Sequence, residues 1–136
     1  MAEIICTPIG FVTSPFKEKG DAPRQGVFTS ETSVITVKEE YLPAFLGLEE
    51  GKFIHILCWF DRSDRTVLQS RRDETVPIKG VFANRSPNRP NPIALTLVEI
   101  VGIEENRITV RGLEALDGTP VLDIKPFSAE FDTPNK

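Results

Sequence analysis

The chain has 136 residues, 40% of them apolar and 26% charged, which suits one compact domain built around a single core. No apolar run approaches the roughly 20 residues of a membrane helix, and the acidic start Met1-Ala2-Glu3-Ile4-Ile5 carries no signal-peptide pattern. A net charge of −4 speaks against nonspecific nucleic-acid binding, and one histidine with two distant cysteines leaves no metal-ligand spacing.

Taken in chain order, the spacing reads mostly as strand. Residues 4–12 form an apolar-rich run that Thr13-Ser14-Pro15 ends as a turn. Residues 27–37 alternate loosely and are rich in Thr and Val, as a half-buried strand should be. Residues 38–48 predict the one helix, with Tyr41, Leu42, Phe45, Leu46 and Leu48 near a 3.6 period and Pro43 in its first turn; Gly51 ends it. Residues 53–60, Phe-Ile-His-Ile-Leu-Cys-Trp-Phe, are continuously apolar and predict a buried central strand. His55 is expected there as a satisfied core residue, and Cys6 and Cys58, each among apolar residues, as buried thiols of a reducing cytoplasm.

Residues 61–78 are polar and basic, with a short strand at 66–68, and 79–83 predict another. No regular element fits Asn84-Arg85-Ser86-Pro87-Asn88-Arg89-Pro90-Asn91-Pro92, whose prolines lack amide donors and force extended neighbours. A long strand follows over 93–103, then a hairpin turn at Glu104-Glu105-Asn106, a return strand over 107–113, a turn at Asp117-Gly118-Thr119-Pro120 and a last strand over 121–124. The fold class is all-β: a mainly antiparallel β-barrel or sandwich with one short helix.

Charge is unevenly spread. Between Arg62 and Arg89 seven basic residues (Arg62, Arg65, Arg71, Arg72, Lys79, Arg85, Arg89) face three acidic ones, Asp64, Asp73 and Glu74. Such a cluster either binds phosphates or is a solvated loop. In the proline loop two arginine forks and three asparagine amides sit on a stiff backbone, a combination suited to a polar ligand or to covering a barrel end. Asp117-Gly118-Thr119-Pro120 is either a plain turn or a carboxylate with open backbone amides beside a strand. Arg24-Gln25-Gly26 and Phe60-Asp61 are further polar loop positions. There is no Gly-x-Gly-x-x-Gly, no phosphate loop ending in Lys-Ser/Thr, and no Gly-x-Ser-x-Gly elbow.

Together these segments resemble the TsaA-like family of β-barrel methyltransferases. The resemblance runs from Ile9-Gly10 and Ser14-Pro15-Phe16-Lys17 to Asp123-Ile124-Lys125-Pro126-Phe127. It is most specific over Gly80-Val81-Phe82-Ala83-Asn84-Arg85-Ser86-Pro87-Asn88-Arg89-Pro90-Asn91-Pro92-Ile93 and Leu116-Asp117-Gly118-Thr119-Pro120. It implies S-adenosylmethionine as methyl donor, held outside any Rossmann fold, and N6-methylation of threonylcarbamoyladenosine at position 37 of tRNA. Cofactor-binding residues implied by the resemblance are Arg24, Gln25, Gly26, Phe60, Asp61, Arg85, Leu95, Asp117, Gly118, Thr119 and Pro120, with no metal. Asp61 follows an apolar strand and is the candidate base, where other members carry His. Arg62, Arg65, Arg71, Arg72 and Arg89 are the expected tRNA-phosphate contacts. The resemblance further suggests a cytoplasmic homodimer, and 1–136 is expected to be one barrel domain without the C-terminal domain of longer members. The alternatives are a methyltransferase of the same fold with a small-molecule acceptor, and a binding-only S-adenosylmethionine module.

Overall fold

The computed structural model describes residues 2–18 and 31–135. Six strands close a barrel: β1 (Gly10–Thr13), β2 (Thr32–Val37), β3 (Phe53–Trp59), β6 (Ile93–Glu104), β7 (Arg107–Arg111) and β8 (Pro120–Pro126). Their order around it is β1-β2-β7-β6-β3-β8, and every neighbouring pair is antiparallel. Two more strands, β4 (Gln69–Ser70) and β5 (Lys79–Gly80), form a separate ribbon inside the long connection between β3 and β6. Closure leaves the barrel without an unpaired edge.

Alternation supplies the core. Val12, Ile35, Ile54, Ile56, Val98, Ile100, Ile108, Val110 and Val121 point inward and are essentially inaccessible to solvent. Two register shifts help the sheet coil. On β8 the pairing with β3 passes from Asp123 to Val121, and on β6 the pairing with β7 passes from Ile100 to Gly102. Each extra residue bends its strand and increases the local twist.

β3 is central, flanked by β6 and β8, but its apolar run conceals an alternation. Ile54, Ile56 and Cys58 enter the core, while His55, Leu57 and Trp59 lie half-buried on the outside. His55 is therefore not a core residue. Its Nε2 lies 3.1 Å from Asp132 Oδ2, tying the strand to the short helix α1 (Ala129–Asp132), and its buried Nδ1 has no partner among the described residues. Cys58 is buried as expected, whereas Cys6 is exposed.

Other expectations shift for local reasons. β1 begins only at Gly10, after the Ile9 amide has bonded Val121 O, and Ile4 and Ile5 are exposed. The helix expected over 38–48 is a 3-10 helix, Glu39–Phe45. Pro43 stands fifth in it, beyond the first turn, where a missing amide interrupts an α-helical ladder. Its Tyr41 and Phe45 nonetheless pack onto the core. The strand expected at 66–68 falls at Gln69–Ser70, and that expected over 79–83 stops at Gly80 and turns into a 3-10 helix, Val81–Ala83. Residues 27–30 of the second expected strand lie outside the described residues.

Candidate functional site

Strand direction places the informative segments at one end of the barrel. β1 and β3 leave there, β2, β6 and β8 enter there, and β7 leaves there. The connections 60–92 and 112–119 and the described residues 14–18 after β1 therefore meet at this end, with all the described sequence-predicted site residues except Leu95 on them or at their edges. Arg24, Gln25 and Gly26 lie outside the described residues.

The turn at Asp117 is stitched to the exit of β1. The Asp117 amide donates to Phe16 O at 2.6 Å, the Gly118 amide to Val12 O at 2.7 Å and the Thr119 amide to Leu116 O at 3.1 Å. Gly118 has φ +84°, a conformation that favours glycine. The amides of Asp117, Gly118 and Thr119 are thus engaged within the chain, as in the plain-turn reading, and not open. The Asp117 carboxylate accepts from the Ser14 amide at 3.0 Å and pairs with Lys17 Nζ at 3.2 Å. Ser14's amide first, then Lys17, hold the Asp117 carboxyl below the usual carboxylate range.

Arg62 binds the same turn from the other side. Its Nη2 donates to Asp117 O at 2.5 Å and its Nη1 to Lys17 O at 3.1 Å. Phe60, half-buried against the core, donates its amide to Pro92 O at 2.9 Å, so the end of the proline loop sits beside the end of β3. Phe60, Asp61, Arg62 and the 117–120 turn are brought to this end together. Asp61 itself is exposed, and the apolar setting expected of it is missing. Leu95 points outward from β6 opposite Leu57, in an exposed apolar row with Ile93 and Leu97.

The proline loop uses most of its polar side chains to hold its own shape. Asn84 Nδ2 donates to Ser70 Oγ and its Oδ1 accepts the Ser86 amide; Asn88 Oδ1 accepts the Asp64 amide. Arg65 donates to Pro90 O at 2.7 Å and to Asn91 Oδ1 at 3.0 Å, while its guanidinium lies 5.0 Å from the Trp59 ring centroid. Arg89 donates to three carbonyls, Val81 O at 2.6 Å, Ser86 O at 3.0 Å and Asn84 O at 3.2 Å. The physical reason is that a segment without strand pairing leaves carbonyls that only side chains or water can satisfy. Arg72 is paired with Asp73 at 3.2 Å. Of the expected phosphate contacts only Arg71 has no hydrogen bond or ion pair among the described residues, and Arg85 and Lys79 share that state.

One carboxylate at this end escaped the sequence reading. Glu114 is half-buried between the buried Leu113 and Ala115, and its Oε1 accepts the buried Thr96 hydroxyl at 2.5 Å. Its signal was an acid between two core residues just before the Asp117 turn. Burial, and then the Glu114 charge, push the Cys58 thiol up to about 12. A cavity of about 440 Å³ lies at the opposite end, between Leu48, Lys52, Phe53, Ile54 and Phe127. With Lys52 its one ionisable group, it has little chemistry to offer and is not the candidate site.

The donor set at the loop-bearing end fits a cationic, partly apolar cofactor such as S-adenosylmethionine: Phe60 and Leu95 offer apolar surface, Asp61 a negative charge and Arg85 a positive one. Fold and site define a closed antiparallel barrel whose long connections converge on one end as a ligand platform. The chain belongs to the family described as tRNA-methyltransferase O N-terminal domain, which matches residues 11–133. It is 46% identical, over 98% of its length and 96% of the relative's, to the S-adenosyl-L-methionine-binding protein of Archaeoglobus fulgidus. It is 34% identical to the mouse tRNA (adenine(37)-N6)-methyltransferase over 96% of the chain, spanning 32% of that enzyme. The crystal structure of TrmO from Pseudomonas aeruginosa superposes with a TM-score of 0.79 at 31% identity, covering 98% of this chain and 60% of that one.

Proposed function

We propose that this protein is an S-adenosylmethionine-dependent methyltransferase acting on tRNA, with N6 of threonylcarbamoyladenosine at position 37 as its acceptor. The observation that carries this reading is the convergence of connections 60–92 and 112–119, which bear the motifs shared with the family, on one barrel end. The relatives named for S-adenosyl-L-methionine binding and for tRNA methylation support it.

Bound S-adenosylmethionine supplies a methyl group on positively charged sulfur. The chain's part is to bind, align and exclude water. Phe60 and Leu95 supply apolar contact for the adenine, with Arg24, Gln25 and Gly26 from the early loop beside them. Arg85 pairs with the carboxylate, and the 117–120 turn shapes the wall of the pocket. Asp61, exposed at the strand end, accepts the proton that the acceptor nitrogen must lose. Arg71 and Lys79 meet tRNA phosphate, with Arg62, Arg65, Arg72 and Arg89 holding the loops that present them. The exposed row Ile93, Leu95 and Leu97 supports a homodimer that enlarges the tRNA footprint and covers this face.

A second reading, transfer to a small acceptor, is favoured by the inward commitment of Arg62, Arg65 and Arg89. Transfer of labelled methyl from S-adenosylmethionine to bulk tRNA, with and without the threonylcarbamoyl group, separates the two. Label in modified tRNA alone is expected. Cofactor binding without label in either tRNA would remove tRNA as the acceptor.

A further inference from the structure

Of the exposed large apolar side chains of the long connection, Leu68, Ile78 and Phe82, the last is the most exposed. It is 87% exposed, although Val81 beside it is buried at 2%. Its backbone is held firmly. The Val81 amide donates to Leu68 O at 2.9 Å, and Arg89 grips Val81 O and Asn84 O on either side of the 3-10 turn. Burying a phenyl ring is favourable, and this fold leaves that gain untaken while holding the backbone that carries the ring.

Three cations surround the same ribbon. Lys79 pairs in register with Ser70, Arg71 follows Ser70, and Arg85 follows Asn84, whose Nδ2 reaches Ser70 Oγ at 3.2 Å. None of the three has an ion pair or a side-chain hydrogen bond among the described residues. Of the neighbouring acids, Asp73 is bonded to Thr75 and Arg72, and Glu74 is exposed. The exposed Leu68 and Ile78 immediately precede β4 and β5. An exposed aromatic face among uncommitted cations is the pattern that binds an unpaired base by stacking and its phosphates by charge.

We propose that Phe82 is a stacking platform for an unpaired nucleobase, with Arg71 and Lys79 holding the adjoining phosphates. The inference rests on the tRNA reading above and adds to it a residue that positions the RNA. It is tested by the affinity of the full chain for fluorescently labelled bulk tRNA, comparing Phe82→Ala, Phe82→Leu and Phe82→Trp. Stacking predicts a loss of about 5- to 100-fold for Ala and Leu alike and retained affinity for Trp. Since the side chain is exposed, the thermal midpoint of the Ala variant should match the parent's, which separates this loss from misfolding.

Equal affinity across all variants overturns the proposal. So does retention by Leu with loss by Ala, which points to plain apolar docking, or dissociation of a dimer at unchanged tRNA affinity, which assigns the face to a second copy. Methyl transfer with normal KM in the Ala variant would leave the tRNA reaction standing and remove Phe82 alone. Absence of tRNA binding by the parent would sink the tRNA reading. A labelled single-stranded oligonucleotide then decides: Phe82-dependent binding upholds the platform, and no binding overturns it.

Discussion

The arginines of the basic segment carry the same charge, yet their surroundings divide them. Arg71 and Arg85 are exposed without a side-chain partner among the described residues, whereas Arg89 closes three carbonyls around the 3-10 turn and the start of the proline loop. Only a planar fork with several donors reaches that many acceptors at once. Arg89→Ala is expected to destabilise the fold by about 2–3 kcal/mol in urea unfolding, given the usual worth of hydrogen bonds from a charged donor. Arg89→Lys should recover less than half of this, because an ammonium cannot span the three oxygens. A loss under about 0.5 kcal/mol, the range of an ordinary surface substitution, would show that the clamp contributes nothing. The sequence announced the number of arginines in this segment. It was silent on which were clamps, because that depends on carbonyls left bare by a chain path fixed elsewhere.

At the scale of elements, the barrel depends on close approach of its shortest member. A Cβ on Gly10 would lie 2.1 Å from Thr36 O and 2.9 Å from Val37 Cα, so β1 and β2 could not keep their register with any side chain there. Gly10→Ala should cost about 3 kcal/mol or prevent folding, by the mechanism of overpacking against an unyielding backbone. At Gly102 the same Cβ meets the Thr109 side chain at 3.8 Å and Glu50 Oε1 at 4.0 Å, ordinary contacts, and Gly102→Ala should change stability by under about 0.5 kcal/mol. Thermal melts of the two variants check the contrast, and comparable midpoints would remove the packing argument. Strands β6, β7 and β8 were legible because alternation and turn residues agree there. Around Glu105, φ +54° completes the expected hairpin between Glu104 and Arg107. Periodicity failed over 53–60, where both faces of β3 carry apolar residues, and over 38–48, where Pro43 overrode a helical spacing.

For the whole molecule, the folded state holds protons differently from the unfolded chain at both ends of the pH scale. Hydrogen bonds keep the carboxyls of Asp117, Asp132 and Asp73 below the usual aspartate range: chiefly Ser14's amide for Asp117, Ser128's amide and then His55 for Asp132, and Thr75 for Asp73. A depressed folded value means that their contribution is present above about pH 4 and is lost as pH falls through the folded values. Cys58 runs the other way. Its thiol, pushed up to about 12, contributes fully below the unfolded value near pH 8.5 and loses that contribution as pH rises towards about 12. Stability should therefore be flat between about pH 5 and 8 and fall on both sides. Cys58→Ala, which lowers the plateau by leaving a small cavity, should flatten the alkaline slope and leave the acid slope alone. An unchanged alkaline slope would clear Cys58 of the role.

Composition, alternation and turn residues determined by themselves that this chain is all-β with most of its core on one face of each strand, since inward and outward positions follow from a period of two. The motifs around Asn84 and Asp117 lie on connections that reach the same barrel end. Tertiary structure decided the rest. Closure in the order β1-β2-β7-β6-β3-β8 brought connections far apart in sequence to one barrel end, turned the amides of the Asp117 turn and the forks of Arg62, Arg65 and Arg89 inward, and left Phe82, Arg71, Lys79 and Arg85 outside. A side chain's type and neighbours in sequence do not reveal whether its hydrogen-bonding capacity is already committed, because the partners arrive from strands that pair only when the barrel closes.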